Sequence, residues 1–326
     1  MKYCLYRLKF KTAVHIGDDS GKTSLASSEM TIHADTLFSA LCYEALQCGG
    51  QELLDKLCSA IKTNDLLLSD ALPYNTQEYF LPKPIMKISR HREQSDSSLK
   101  KKFKALKYIP VSQFENYLGS LNNKNTFDPD NVCTSFGNQE TITRAAIKGV
   151  EETNPYHVGV YRFFDNCGLY IIIAYKENEK KLLFKRLLNA LSFSGIGGKR
   201  TSGLGKFEIV EEIELDKTVE ENALKILSEM LTDNTSDFHM GISISLPKEE
   251  ELDTVTESGF YSLIRRGGFV QSQSYSDTPL KKKIIYLFSA GSCFKQTYEG
   301  DIYDVSFHGS HPVYRYAKPV FVGVKI

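Results

Sequence analysis

Five glycines fall within the eleven residues from Gly195 to Gly205, between an apolar-striped segment, Lys180 to Phe193, and a strand-like one, Leu204 to Leu215. Glycine adopts positive φ and lets a ligand approach the backbone closely. A helix running into such a stretch must stop there, and the chain must turn into the following strand. Leu183, Phe184, Leu187, Leu188 and Leu191 mark the inner face of that helix. Lys199, Arg200, Thr201 and Ser202 stand among the glycines and Lys206 follows, so the loop carries cations and hydroxyl donors suited to phosphate oxygens. Successive N–H groups at Gly195, Gly197, Gly198 and Gly203 could form an anion-binding nest. A nucleotide P-loop is excluded by spacing: Gly198-Lys199 is followed by Arg200, and Phe193 stands where the first glycine is needed. The direction is also wrong, because this loop leaves the partly negative C-terminal end of a helix. The loop is expected to grip a polyanionic backbone; a solvated glycine-rich turn is the plainer alternative.

Elsewhere, Cys4 to Ile16 reads as one half-buried strand, with Cys4, Tyr6, Leu8, Phe10, Val14 and Ile16 inward and Arg7, Lys9, Lys11 and His15 on a cationic outer face, Leu5 and Ala13 being exceptions. Ala34 to Gln47 reads as a helix capped by Asp35 and ended by Gly49-Gly50, and Glu52 to Lys62 as a second short helix. Pro82 to Asn131 is basic and lacks periodicity, which predicts an irregular insertion. Tyr156 to Phe164 and Leu169 to Tyr175 read as strands. Strand, helix, strands, helix, loop, strand is a stretched β-α-β-β-α-β order. After a helix at Glu220 to Leu231, the strand-like runs of the second half suggest a second, degenerate unit of the same kind. The expected fold is α+β: an N-terminal ferredoxin-like domain over 1–215, with an insertion at about 82–165, and a C-terminal one over 216–326.

The 40 Lys and Arg balance 40 Asp and Glu, so nucleic-acid binding requires the basic residues to be gathered on one surface. Seven cysteines, with no Cys-x-x-Cys, indicate neither a disulfide framework nor a zinc site. No metal or cofactor is expected. No apolar stretch is long enough to span a bilayer, and no leader peptide is evident, so a cytoplasmic protein with reduced thiols is expected.

Phe193 to Phe207 resembles the signature loop of the RAMP superfamily, the repeat-associated proteins of CRISPR systems, and His33-Ala-Asp-Thr-Leu-Phe-Ser-Ala-Leu-Cys42 resembles its first-helix motif. Gly291 to Phe294, Gly300 to Val305 and His311-Pro-Val-Tyr-Arg-Tyr-Ala317 are similar to the fourth-subunit family of type III-A (Csm) effector complexes, save that Ala317 stands where Gly is expected. The resemblance implies two RRM-related ferredoxin-like domains and a non-catalytic role. It implies binding of the 5′ handle of CRISPR RNA, with target RNA a further candidate. The protein partners it implies are the large polymerase-like subunit and the backbone RAMP subunit. It also implies a thumb-like hairpin; Thr141 to Lys148, leading to Tyr156 through Arg162, sits where such a thumb would be, with Arg144 and Lys148 as its RNA contacts.

Other groups bear on the choice of function. His15 is a candidate RNA contact. Arg265-Arg266-Gly267-Gly268 could approach a phosphate closely, or be a charged hairpin. His33 or His15 could serve a metal-independent endoribonuclease, the alternative reading, although a structural His33 is favoured for want of a partner base. Asp18-Asp19 reads as a polar turn, His308 and His311 lack further metal ligands, and the Lys100 to Lys107 cluster reads as a solvated face.

Overall fold

The computed structural model describes residues 1–17, 25–76, 78–86, 97–122, 124–146, 154–272 and 274–325. The first stretch of chain forms β1 (Lys2–Phe10), α1 (Ala34–Lys62), β2 (Leu66–Leu68), β3 (Leu72–Asn75), β4 (Glu78–Pro82), α2 (Ser97–Ala105), β5 (Tyr108–Pro110) and α3 (Phe114–Leu121). It continues through β6 (Gly137–Ala146), β7 (Asn154–Phe163), β8 (Cys167–Tyr175), α4 (Asn178–Ser194) and β9 (Phe207–Glu214). The remainder forms α5 (Asn222–Thr232), β10 (Phe238–Gly241), α6 (Glu249–Glu257), β11 (Leu263–Arg266), β12 (Ile285–Phe288), β13 (Cys293–Phe294), β14 (Asp301–Asp304), β15 (Tyr314–Ala317) and β16 (Phe321–Val324).

The fold is mixed α/β with antiparallel sheets. The largest sheet runs β5-β4-β3-β8-β1-β9, with β2 also pairing to β8. Smaller sheets are β13-β10-β16, β11-β12, β14-β15 and the long hairpin β6-β7. β8 is buried along its whole length, as its unbroken apolar run requires. α1 and α4 pack over the face bearing Cys4, Tyr6 and Leu8 through Leu37, Phe38, Leu41, Phe184, Leu187 and Leu188. Burying one such Leu or Phe side chain is worth about 1.5–3 kcal/mol.

β1 is covered on both faces. Leu5 is fully buried in a second core with Tyr170, Ile172, Tyr79, Phe114, Leu227 and Val322. The cationic outer face is therefore not an open surface. Arg7 ion-pairs with Glu211 at 2.9 Å and lies 4.1 Å from the Tyr74 ring, and Lys11 pairs with Glu208 at 2.6 Å. The strand also ends earlier than the alternation predicts. Lys11 N–H donates to the Lys206 carbonyl at 2.8 Å, the chain leaves β9, and Val14 then bridges to Tyr161 of β7.

Both helical predictions in the first quarter hold, but the helices join in one element, kinked at Gly50, where φ is +64°. Asp35 does not cap it. Asp70 does, accepting from the Ala34 N–H at 2.8 Å. The segment read as an irregular insertion contains α2, β5 and α3, and Ile109, Phe114, Tyr117, Leu118 and Leu121 enter the second core. Asp18-Asp19 lies outside the described residues.

Residues on both sides of position 215 share the cores. Tyr316 enters the first, where its ring lies 5.8 Å from Phe38 and its hydroxyl accepts from the Leu68 N–H at 2.8 Å. Asp70, 2% exposed, accepts from Ala34 and, at 3.0 Å, from the Ile244 N–H.

Candidate nucleic-acid interface

The Gly-rich loop is anchored from below. Gly195 N–H closes α4 by donating to Leu191 O, and Ile196 N–H donates to Gly205 O at 3.0 Å. Gly198 N–H donates to His15 O at 2.8 Å, and Gly205 N–H to Ala13 O at 2.9 Å. Ser202 and Gly203 donate within the turn, to Lys199 O and Arg200 O. These six amides are engaged inside the protein, so a phosphate held here would depend chiefly on side chains. Glycine is required for this closeness: at Gly205, φ is +74° and an added Cβ would fall 1.9 Å from Ile196 O.

His15 is 6% exposed and its Nδ1 lies 2.6 Å from Gly159 O. It supports the loop while lining the cleft beside it. Lys199 lies 4.9 Å from the Tyr156 ring of β7, and Arg144 of β6 donates to Ser202 O at 3.5 Å, so the hairpin and the loop meet. Thr201 and Ser202 are exposed. Lys148 lies outside the described residues. Arg200 stacks 4.0 Å from the Tyr43 ring, with Nη1 3.7 Å from Glu44 Oε1, and Ser194 Oγ donates to the same oxygen at 2.6 Å.

Gly195, Gly197, Gly198 and Arg200 of the loop form one wall of a cleft of about 480 Å³, while Lys199, Thr201, Ser202 and Gly203 are not part of its lining. Thr36, Ser39, Ala40 and Tyr43 of α1 form the second wall; the third comes from Arg266 to Gly268, Lys282 and His311 to Arg315. Two of the sequence candidates, the Gly-rich loop and Arg266-Gly267-Gly268, thus face one space. Among the described residues, Arg200, Arg266, Lys282 and Arg315 line it together with the carboxylate of Asp35.

Asp35 fixes that wall. Arg266 holds it bidentately, Nε to Oδ2 at 3.0 Å and Nη2 to Oδ1 at 2.9 Å, and also reaches Thr36 Oγ1. Arg315 donates to the same carboxylate and, at 2.7 Å, to Gly267 O. Burial opposes the Asp35 charge, but the two guanidiniums outweigh it and hold the carboxyl well below the usual carboxylate range. Two guanidiniums thus share one carboxylate at the cleft wall. Arg265, the neighbour of Arg266, is on the exposed side of the ribbon. Asp35, Tyr43, Lys282 and Arg315 were not identified as site residues from the sequence. The signal available was the small and polar stripe Thr36, Ser39, Ala40, Tyr43 at helical spacing.

His33 faces Asp70, with Nδ1 2.6 Å from Oδ2. Burial opposes the charged ring, but the charge of Asp70 and the hydrogen bond to it outweigh burial, and the His33 pKa is raised above 6.5. A raised folded-state pKa means that the stabilisation is fully present below the unfolded value and is lost as pH rises through the folded one. The melting-temperature difference between the wild type and His33→Gln should therefore shrink as pH rises from about 5.5 to about 8.5, across the histidine range. A difference that is constant across that range would refute the ion pair. Cys4, Glu212 and Glu214 bring three possible metal ligands together, but Lys181 and Lys185 already neutralise the carboxylates and burial pushes the Cys4 thiol up to about 12. Among the described residues, no helix is long and apolar enough to cross a membrane.

The structure thus defines an antiparallel α/β scaffold with a cleft lined by a Gly-rich loop and by basic residues. Residues 7–208 match the family described as RAMP superfamily, and residues 234–324 match the CRISPR Csm4 C-terminal domain. The chain is 37% identical to the CRISPR system Cms protein Csm4 of Mycobacterium tuberculosis (strain ATCC 25618 / H37Rv), over 98% of this chain and 97% of the relative. It is 33% identical to the Streptococcus thermophilus protein of the same name, over the full length of both. The chain belongs to the RAMP superfamily and, within it, to the Csm4 family. Its fold is similar to that in a crystal structure of the Csm3-Csm4 subcomplex of the type III-A CRISPR-Cas interference complex (TM-score 0.67, 18% identity, all of both chains). It is also similar to that in a Csm1-Csm4 cassette in complex with cA4 (TM-score 0.61, 18% identity, 100% of this chain and 99% of the other).

Proposed function

We propose that the chain is a non-catalytic CRISPR RNA-binding subunit of a type III-A effector complex, which holds the 5′ handle of the guide in the cleft beside the Gly-rich loop. The observation that carries the reading is the cleft itself: among the described residues, the Gly-rich loop, Arg200, Arg266, Lys282 and Arg315 gather around one space, in a chain of zero net charge. Lys199, Arg200, Thr201 and Ser202 would meet phosphates, with Gly195, Gly197, Gly198 and Gly203 keeping the loop close to the strand. Arg144 of the hairpin, read as the thumb, would contact the strand or its target RNA, and Lys148, which follows in sequence, is expected to contact the same RNA. Handle bases would be recognised in the unstacked state that single-stranded recognition generally requires. The large polymerase-like subunit and the backbone subunit are the expected protein partners, in line with the Csm1-Csm4 and Csm3-Csm4 assemblies formed by proteins of this fold. The complex would act in the cytoplasm. The central order β3-β8-β1-β9, with α1 and α4 on one face, supports a ferredoxin-like N-terminal unit; a degenerate second one over 216–326 is part of the proposal.

The endoribonuclease alternative is less well supported, because His33 is committed to Asp70 and His15 to Gly159 O. The test uses the purified chain with labelled handle RNA in EDTA. Binding without cleavage is expected. Cleavage that is lost in His33→Gln would overturn the non-catalytic reading, and absence of binding would overturn the whole.

A further inference from the structure

The chain has zero net charge, but residues 259–290 hold five cations, Arg265, Arg266, Lys281, Lys282 and Lys283, against one carboxylate, Asp277. This is the antiparallel ribbon of β11 and β12, which continues past the strands through the Phe269–Lys281 bridge. Its inner face buries Leu287, packs the half-buried Ile264 and Ile285 beside it, and turns Arg266 to Asp35. Its outer face is open and apolar: Leu263, Ile284 and Tyr286 are each 54% exposed and Phe269 is 51% exposed. Cations are interleaved with these rings. Arg265 pairs across the ribbon with Tyr286, and Lys281 Nζ lies 5.7 Å from the Phe269 ring. At one end the ribbon runs into the cleft wall through Arg266, Gly267, Gly268 and Lys282. Near the other end Asp253 and Glu257 of α6 gather around Tyr261, and at the cleft end Asp304 lies near Lys283. The usable face is thus the stretch from Leu263 to Phe269 with Lys281, Ile284 and Tyr286.

We propose that this face is a second, single-stranded RNA surface, on which bases leaving the cleft stack on Tyr286 and Phe269 while Arg265 and Lys281 follow the phosphates. The proposal rests on the cleft being an RNA site. Aromatic rings in a cationic track are what sequence-tolerant single-strand binding uses, because every base has a face to stack. The excess of cations favours RNA over a protein partner for the same apolar patch.

The test measures affinity of the full chain, within its complex if the isolated chain is insoluble, for labelled mixed-sequence single-stranded RNAs of about 6 and about 12 nucleotides, lengths chosen to lie within and beyond the reach of one compact site. The wild type should bind the longer RNA at least about tenfold more tightly, within the range one base–aromatic stack supplies. Arg265→Ala with Tyr286→Ala should abolish that gain and leave the shorter RNA within about twofold, the size of an energetically neutral surface change. Tyr286→Phe, which keeps the ring, should retain the gain, and unchanged melting of each variant excludes misfolding. By contrast, the Lys199→Ala, Arg200→Ala variant should weaken both RNAs alike. If the wild type binds the shorter RNA but the gain survives in the double variant, the ribbon surface is wrong and the cleft stands. If the wild type binds neither RNA, both fail. If the ribbon variant keeps the gain but loses a co-purifying protein subunit, the patch docks protein and the proposal is overturned.

Discussion

Replacing Asp35 with alanine should destabilise the chain by about 3–5 kcal/mol, the cost of removing one partner from a buried ion pair. Arg315 is 5% exposed and the Arg266 side chain 12%, so neither guanidinium can turn fully to water when the carboxylate is gone. The variant leaves two positive charges facing each other across an empty space. Urea or thermal unfolding of the purified protein reads the loss, and a change below about 1 kcal/mol, the value of a surface pair, would show that the triad is not a stabilising centre. The pH dependence has a definite sign. The folded-state pKa is depressed, so the carboxylate's contribution is present above its unfolded value of about 4 and is lost as pH falls through the folded one. Wild type and Asp35→Ala should therefore converge in stability under strong acid.

The largest expected effect on RNA binding is in Lys199→Ala, Arg200→Ala. Each single-strand phosphate that no longer meets a cation should make the plot of log affinity against log salt shallower by about 0.7, so two such phosphates reduce the slope by about 1.4. Because Arg200 is stacked on Tyr43 and paired to Glu44, its removal also frees the Tyr43 ring. The Tyr43→Ala variant distinguishes the two effects: it should weaken RNA binding with little change in slope, since a ring contributes no counterion release. Identical affinity and slope in wild type and double variant would remove the loop from the interface.

Local pattern carried part of this structure. The stripe Leu183, Phe184, Leu187, Leu188, Leu191 predicted α4, and the apolar run around Ile171 to Ile173 predicted β8, because each element buries one periodic set of side chains. The second buried face of β1 was signalled only by Leu5, which looks like an exception to alternation until the second core is seen. α3 was legible in principle, since Phe114, Tyr117, Leu118 and Leu121 are at helical spacing, but the lysines of α2 and the polar run after it concealed it. At the site, the glycines identified the loop, since local backbone geometry requires them. The cleft was not legible, because Asp35 meets Arg266 and Arg315 across 231 and 280 residues of sequence and no local pattern records such pairs.

The cleft walls also bear on how the protein is made. They draw on the chain from His15 to Arg315, and Tyr316 locks into the N-terminal core only when the last strands are present. A growing chain on the ribosome has the Gly-rich loop long before it has the cleft. On the proposed reading, guide RNA capture in the cleft is therefore an event of a chain that has its last strands, and shortened translation products that lack them, though they carry the loop, would not compete for the guide there.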